Sequence, residues 1–530
     1  MRRLMFMRSK HSIKPSILLF VTAFSLMVGL ICLVNSGYAE RESIVPGRVL
    51  IKLKPGTPET LLSSVLSSPE VKVIGEIEKL NVKILAVPPG EEEAWIKRLE
   101  AEPFIEYAEY DRRVKALFTP NDYYWDFQWN MVKIKAHKAW DVTTGSPDVI
   151  IAIIDTGVDL DHPEFLGKIV PGKNFITPAL PPDDDHGHGT HVAGIAAALG
   201  NNGQGVAGVA WGAKIMPLKV LDAEGNGKDS DVAAAIIYAV EHNAKVLNMS
   251  LGGYGSTQTL ADAVAYAYNK GCLLVAATGN DGKNEVMYPA AYPEVIAVAA
   301  TNRYNGVTWY SNYGPEVEVA APGGGGSNWI ISTYRGGGYA YSSGTSMATP
   351  HVAGLGALIW SMRPDLSNVQ VRNLITSSAM DLSPAGWDEY SGYGLIDVTS
   401  SLPPTLEVRP LGITVLVDEN GHFYPDNREK LRISNSAYRP LQWKAGISSP
   451  SPWLEFSPDS GITYHGVDSL MSITFTLPST YGLYTVDMII TGTAPEVPDI
   501  TETIEFKLVY VDKVYPVFLP IVTSQGSNPF

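Results

Sequence analysis

The chain has 530 residues and a formal net charge of −15, and 45% of its residues are hydrophobic while 18% are charged. This length exceeds what one hydrophobic core supports, so we expect two or three folded units, and the composition excludes a disordered chain. The acidic balance argues against nucleic-acid or anionic-membrane partners and suits a protein that holds cations.

Residues 1–39 predict a signal peptide. A basic head without acids precedes an apolar run over residues 17–34, and Gly37-Tyr38-Ala39 then supplies the small residues that signal peptidase prefers. We therefore predict cleavage and a secreted, extracellular protein. Retention as a membrane anchor is the alternative, because the apolar run is long enough to span a bilayer. Cys272 is then the one remaining cysteine, and its apolar neighbours predict a packed thiol.

Residues 40–117 predict a small α+β module. Strand patterns lie at 49–53, 71–77, 82–87 and 105–108, and helical patterns lie at 60–67 and 91–99. This β-α-β-β-α-β order is typical of a ferredoxin-like fold.

Residues 118–402 predict an α/β domain of three layers with a parallel sheet. Apolar runs without polar alternation lie at 149–154, 215–220, 246–249, 273–277 and 295–300, as expected for strands buried on both faces. Helical patterns alternate with them at 192–199, 231–240 and 260–269, and another lies at 352–360. Active sites of such sheets lie beyond the carboxyl ends of the strands.

Residues 403–524 predict an all-β sandwich, and residues 525–530 a short tail. After Pro403-Pro404 the helical pattern gives way to short alternating strands separated by Pro and Gly turns.

Three distant segments supply side chains for nucleophilic catalysis. Asp155 ends a buried strand, His188 opens a helix, and Ser346 lies among small residues at the start of another helix. A serine hydroxyl needs a base, and that base needs a carboxylate to orient it. Each residue alone has an ordinary explanation as a turn, surface or loop residue, so the combination carries the prediction. His191 falls one helical turn past His188 and is expected to pack or hydrogen-bond locally.

Over about residues 120–400 the chain resembles the subtilase family, and its thermitase-like members most. The resemblance lies in these segments and in their order along the chain, which is Asp, His, Ser. The resemblance implies a subtilisin-like fold and a serine endopeptidase that hydrolyses peptide bonds through an acyl-enzyme. It implies that Ser346 attacks the carbonyl, His188 transfers the proton and Asp155 orients the imidazole. Asn280, in Thr278-Gly279-Asn280, would donate to the oxyanion.

The resemblance also implies a cleft that binds protein substrates as an added strand. Its predicted substrate-binding residues are Ser250, Leu251, Gly252, Gly225, Gly227, Ala277 and Gly279. Met287 falls near the floor of the primary pocket, where no acid clearly lies, so we predict apolar or broad specificity. Glu285 is close enough to leave a basic preference open.

A structural calcium ion is implied as the cofactor. The residues that match the family's strong site are Asp122, Glu164, Leu199, Asn202, Gln204 and Val206. Glu164 replaces the usual Asp, but the set still offers the oxygen ligands that Ca²⁺ prefers. Asp183-Asp184-Asp185 could also hold a cation, although we interpret it as a solvated charge run.

The module at 40–117 resembles subtilase propeptides, which assist folding and block the cleft. We therefore predict a self-processed zymogen that is inhibited by its own propeptide and matures near Phe118, with a permanently attached accessory domain as the alternative.

Residues 425–492, which include Trp443 and Trp453, resemble BACON-type immunoglobulin-like modules. We interpret both tryptophans as sandwich core rather than as sugar-stacking residues. Contact of this module with a cell surface or polysaccharide remains open, and the protein is predicted to be monomeric.

Two other functions remain as alternatives. The same triad could serve an esterase, although the glycine-edged peptide groove argues against this. A non-enzymatic adhesin with an inert protease fold is opposed by the intact set of Asp155, His188, Ser346 and Asn280.

Overall fold

The computed structural model describes residues 44–58, 61, 71–88, 90–112, 119–424 and 428–511. The chain divides into two compact units, Met1–Ala116 and Leu117–Phe530. The predicted signal peptide and the C-terminal tail lie outside the described residues, as does most of the helix predicted at 60–67. In the part of the chain that is described, no helix combines the length and apolarity needed to cross a membrane.

The first unit contains an antiparallel sheet and one described helix. The elements are β1 Ile44–Leu53, β2 Lys72–Ile77, β3 Val82–Ala86, α1 Glu92–Glu100 and β4 Ile105–Arg112. The strand order is β2-β3-β1-β4 and all neighbours are antiparallel, which confirms the predicted α+β module. Trp95, Ile96 and Leu99 of α1 pack with the sheet around one small core.

The second unit alternates strands with helices over most of its length. Its parallel strands are β5 Ile150–Asp155, β6 Lys173–Asn174, β7 Lys214–Lys219, β8 Val246–Met249, β9 Leu273–Ala277, β10 Val295–Thr301 and β11 Val317–Pro322. Its helices are α2 Trp129–Lys133, α3 Ala136–Ala139, α4 His188–Ala197, α5 Asp229–Glu241, α6 Gln258–Asn269, α7 Thr345–Met362, α8 Asn368–Ser377 and α9 Val398–Ser401. A separate hairpin is formed by β12 Ile330–Tyr334 and β13 Gly338–Ser342.

The sheet is parallel throughout, with the strand order β11-β10-β9-β8-β5-β7-β6. Successive side chains of β5 enter two different cores. Ile151 and Ile153 pack on the side of α4 and α7, whereas Ala152 and Ile154 pack on the side of α5 and α6. The sheet is therefore covered on both faces, which confirms the three-layer prediction and explains why its strands lack polar alternation.

Cys272 directly precedes β9 and is a packed thiol, as predicted. It is buried, and its Sγ donates to the carbonyl of Ala244 at 3.3 Å. Burial raises the pKa of this thiol to about 11, so it stays protonated and unreactive near neutral pH.

The C-terminal part of the second unit consists of two sheets around one hydrophobic core. The four-stranded sheet has the order β14-β17-β21-β19, with bounds Glu407–Arg409, Arg428–Ser434, Ser469–Phe475 and Leu454–Ser457. The six-stranded sheet has the order β16-β15-β23-β22-β18-β20, with bounds Phe423–Tyr424, Gly412–Val417, Val497–Tyr510, Gly482–Ala494, Leu441–Ile447 and Ser460–Thr463.

The two sandwich tryptophans belong to this core. Trp443 is 3% exposed and Trp453 is 6% exposed, and both pack among side chains from the two sheets. Their interpretation as core residues is confirmed.

The tip of the β22–β23 hairpin contacts the end of α8. Arg439 pairs with Glu496 at 3.0 Å and donates to Ser378 Oγ at 2.9 Å, while Ser377 Oγ donates to Glu496 at 2.6 Å. Val497 packs against the main core of the α/β part. The sandwich is therefore held to the α/β part by a small mixed contact.

Candidate active site

The predicted site residues meet where the parallel strands end. Asp155 is the last residue of β5, Ser250 follows β8, and Asn280 lies three residues after β9. Because these strands are neighbours and parallel, their carboxyl ends share one edge of the sheet. His188 begins α4, and Ser346 is the second residue of α7.

Asp155 and His188 form a tight pair. The distance between Asp155 Oδ1 and His188 Nδ1 is 2.7 Å, and the same oxygen accepts from Thr156 N at 2.8 Å. Asp155 is fully buried, and its Oδ2 has no hydrogen-bond partner among the described residues. Burial alone would lower the pKa of His188, but the charges of Asp155 and Asp184 and the hydrogen bond to Asp155 outweigh it and raise that pKa.

Gly189 allows this close approach of strand and helix. A Cβ at this position would overlap the carbonyl oxygen of Gly157 and lie 3.1 Å from the Cβ of Asp155. Only glycine leaves room for the carboxylate beside the imidazole.

Ser346 lies in the first turn of α7 and is hydrogen-bonded to Ser250. Its Oγ donates to the carbonyl of Ser250 at 3.1 Å, and Ser250 Oγ donates back to the Ser346 carbonyl at 2.9 Å. Within the described chain, Ser346 Oγ makes no hydrogen bond to His188. Rotation about the Cα–Cβ bond of Ser346 redirects the hydroxyl, and such catalytic bonds often tighten only when substrate is bound.

Asn280 is held with its amide nitrogen free. Its Oδ1 accepts from Thr345 N at 2.8 Å and from Thr345 Oγ1 at 3.0 Å. Its Nδ2 makes no hydrogen bond to any residue that the structure describes, and Asn280 is exposed. A donor therefore lies beside the backbone that leads into Ser346, as an oxyanion hole requires.

The cleft is a cavity of about 530 Å³ that includes His188. Of the predicted substrate-binding residues, it is lined by Gly225, Gly227, Ser250, Leu251 and Gly252. Val232 and Leu260 add an apolar recess that the sequence analysis missed, because nothing in their helices distinguishes them from core residues.

Ala277 and Gly279 do not line this cavity, and Gly279 instead lies against Met287. A Cβ on Gly279 would lie 3.0 Å from Met287 Cγ, and one on Gly252 would lie 2.9 Å from Met287 Cβ. Met287 thus lies between the two predicted walls, whereas the side chain of Glu285 is exposed.

The predicted calcium ligands form one cluster. Asp122 and Glu164 are 4% and 1% exposed. Asn201 N donates to Asp122 Oδ2 at 2.8 Å, and Asn202 Nδ2 donates to Glu164 Oε2 at 2.9 Å. Burial raises the pKa of each carboxyl, and Asp122 raises that of Glu164 further. Two buried like charges destabilise each other unless a cation lies nearby.

The remaining predicted ligands lie in the loop that closes over this pair. Leu199 N donates to the Glu164 carbonyl at 3.0 Å, and Gln204 N donates to Asn202 Oδ1 at 2.8 Å. Val206 also donates from its backbone to Glu164. Asp122 Oδ1 is buried without a partner among the described residues, so the donor set fits a cation. This predicted calcium site contains two carboxylates, those of Asp122 and Glu164. In the part of the chain that the structure describes, no group of three His, Cys, Asp or Glu side chains is arranged to hold a metal ion.

Tyr339 is a contact that the sequence analysis missed. Its hydroxyl donates to Glu164 Oε1 at 2.9 Å from β13, 175 residues away along the chain. No local pattern around Tyr339 indicates this pairing.

The interpretation of Asp183-Asp184-Asp185 as a solvated charge run is wrong for its central residue. Asp183 and Asp185 are exposed, but Asp184 is buried. The middle carboxylate is buried because it accepts from Gly187 N and Thr190 N at the N-terminus of α4.

His191 is buried and hydrogen-bonded, but its partners lie in the hairpin β12–β13, 139 and 149 residues away along the chain, and not locally as predicted. Its Nε2 lies 3.1 Å from the carbonyl of Ala340 and 3.2 Å from that of Ile330. Burial lowers its pKa to about 4, so it remains neutral while His188 titrates. His186 lines the cleft cavity instead.

Comparisons with known proteins agree with this geometry. The subtilase family profile matches residues 146–394, and the fervidolysin N-terminal prodomain profile matches residues 36–111. A thermophilic serine proteinase from Bacillus sp. (strain AK1) is 42% identical over 359 residues, which cover 68% of this chain and 88% of that protein. Thermitase from Thermoactinomyces vulgaris is 46% identical over 270 residues, which cover 51% of this chain and 94% of thermitase.

A solved protease structure from Pseudoalteromonas arctica PAMC 21717 superposes with a TM-score of 0.51 at 36% identity. The match covers 54% of this chain and 99% of that one.

Proposed function

The chain belongs to the subtilase family of serine endopeptidases and carries an N-terminal prodomain, and on this premise we propose that it is a secreted, calcium-stabilised enzyme that removes its own prodomain. The observation that carries the catalytic assignment is the 2.7 Å pair between Asp155 and His188, together with the bond of Ser346 to Ser250, which lines the same cavity as His188. Secretion rests on the basic and apolar pattern of residues 1–39.

In the proposed reaction, His188 accepts the proton of Ser346 as its Oγ attacks the scissile carbonyl. Asp155 holds Nδ1 of His188 protonated, so that Nε2 is the basic nitrogen, and it stabilises the imidazolium that forms. Asn280 Nδ2 and the backbone N–H of Ser346 donate to the oxyanion. His188 then protonates the leaving amine, and water releases the acyl group by the same steps in reverse order.

The pocket supports a preference for apolar side chains. Met287 lies against both Gly252 and Gly279, and Leu251, Val232 and Leu260 contribute apolar surface to the cleft. A charged substrate side chain would find no opposite charge at Met287 and would lose hydration there. The residue before the expected maturation site, Leu117, has the same apolar character.

Maturation is tested with the secreted wild type and Ser346→Ala. We expect the wild type to lose its N-terminal residues near Phe118, whereas Ser346→Ala stays at the length left by signal cleavage. Intact-mass spectrometry measures both products, and Ser343→Ala, an exposed neighbour, is the matched control. A wild type that keeps residues 40–117 while cleaving added peptides would contradict self-processing but not the protease assignment.

The proposed calcium ion would be held by Asp122, Glu164, Asn202 and backbone carbonyls of Leu199, Gln204 and Val206. Bound there, Ca²⁺ would neutralise the two buried carboxylates and crosslink three chain segments. We expect EDTA to lower the Tm of the wild type, and Glu164→Gln to have a low Tm that EDTA no longer changes. An equal EDTA response in both proteins would place the ion elsewhere, and no response in either would remove it from the proposal.

A further inference from the structure

Asp184 accepts hydrogen bonds from five donors around His188. Oδ1 accepts from Thr156 Oγ1 at 2.8 Å, from His186 N at 3.0 Å and from Gly187 N at 2.8 Å. Oδ2 accepts from Thr190 N at 2.9 Å and from Thr190 Oγ1 at 2.6 Å. The residue is 7% exposed, so this carboxylate has exchanged most of its water for N–H and O–H groups of the protein.

These donors come from the two segments that carry the proposed acid–base pair. Thr156 follows Asp155 directly, and its Oγ1 also accepts from Gly189 N at 2.9 Å. Gly187 and Gly189 flank His188, and Thr190 lies two residues beyond it. One buried side chain therefore connects the end of β5 to the first turn of α4, the two places whose separation sets the distance from Asp155 to His188.

Other charged or titratable groups also lie around the imidazole. They are Asp155 on β5, His186 with its ring 6.2 Å away, and His191 on α4. Lys219 on β7 contacts the segment after Asp155, where its Nζ lies 2.7 Å from the carbonyl of Thr156. Lys219 is itself paired with Asp185 at 2.6 Å. Asp184 is thus a second anion, besides Asp155, that acts on His188, and it raises the pKa of that imidazole.

We propose that Asp184 is a positioning residue for His188. Its carboxylate fixes the spacing of β5 and α4, and its negative charge stabilises the imidazolium formed during acyl transfer. This inference rests on the proposed function, because it assigns a role relative to the catalytic base.

The test compares Asp184→Asn with Asp183→Asn in the full-length secreted protein. Both changes remove one negative charge, but Asp183 is exposed and accepts one backbone N–H, from Leu160 at 3.2 Å. Titration with a fluorophosphonate counts the competent active sites, so that kcat refers only to folded enzyme. A pH profile of kcat/KM then reports the titration of the base.

For Asp184→Asn we expect kcat to fall about 10- to 100-fold with little change in KM, because the pair loses its spacing. The acid limb of kcat/KM moves to lower pH by about 0.5 unit, since removing an anion makes imidazolium less stable. In Asp183→Asn we expect both kcat and the acid limb of kcat/KM to stay unchanged. An unchanged acid limb in Asp184→Asn, or equal shifts in both variants, would overturn the inference.

Thr156→Val separates the two parts of the role and covers the case that Asp184→Asn fails to fold. It removes one donor to Asp184 and the acceptor of Gly189 N, which belongs to the same link between β5 and α4, but leaves the charge of Asp184 in place. We expect a lower kcat with an unmoved acid limb, and an unchanged kcat would contradict the positioning role. A wild type that neither reacts with the fluorophosphonate nor cleaves peptides would instead reject the proposed function itself.

Discussion

The α/β part and the C-terminal sandwich of the second unit bury polar groups in different ways. In the α/β part, the carboxylates of Asp155 at the end of β5 and of Asp184 before α4 are buried, and protein donors replace their water. The sandwich core instead consists of hydrophobic side chains contributed alternately by its two sheets. Buried charge costs stability unless it is paired, so a carboxylate buried beside an imidazole, as Asp155 is, indicates chemistry, whereas the hydrophobic core of the sandwich indicates stability.

The largest effect on stability is expected from damage to the sandwich core. Phe475→Ala removes a fully buried ring and should lower the free energy of unfolding of the sandwich by about 3–5 kcal/mol. We expect kcat/KM to stay unchanged at temperatures where the variant is folded. Chemical denaturation and peptide hydrolysis measure the two effects.

Leu477→Ala is the control for this change, because Leu477 is 48% exposed and should cost little stability. If Phe475→Ala lowered kcat/KM while the protein was folded, the sandwich would have to be counted as part of the active site.

Asn280→Ala is expected to lower catalysis strongly and stability only slightly. Losing the Nδ2 donor should lower kcat by about 10²–10³, or about 2.7–4 kcal/mol of transition-state stabilisation, while KM changes little. The two bonds from Thr345 to Asn280 are also lost, so a modest fall in Tm accompanies it. Asn373→Ala, at an exposed position on α8, should change neither quantity. A fall in Tm without loss of kcat would make Asn280 a structural residue only.

The smallest effect is expected at the contact between the two parts. Arg439→Ala removes the pair with Glu496 and the bond to Ser378, both partly exposed, and should cost no more than about 1 kcal/mol. Limited proteolysis near residues 403–406 should quicken, while kcat/KM stays constant. Arg432→Ala, whose pair with Asp468 lies within the sandwich, should not change that cleavage rate.

The sequence alone predicts the elements whose patterns are local. Buried runs such as 149–154 identify the parallel strands, since six apolar residues without polar alternation are too few for a typical buried helix. The segments around Asp155, His188 and Ser346 name the catalytic candidates because they occur together and in the order of the subtilase family that the chain resembles.

What the sequence could not predict depends on contacts between distant segments. Tyr339 reaches Glu164 across 175 residues, and the burial of Asp184 is decided by how a loop passes the N-terminus of α4. The orientation of the Ser346 hydroxyl toward Ser250 is likewise a rotamer choice that leaves no pattern in the chain. Such features follow from packing, not from periodicity.

Because there is no room for a side chain at position 189, Gly189 limits which substitutions this enzyme tolerates near His188. A single methyl group there would meet the backbone of residue 157, and strand and helix could then accommodate it only by moving apart. Randomising the segment around His188 in a library should therefore return this glycine in every active clone, however freely the exposed positions on either side of the cleft vary.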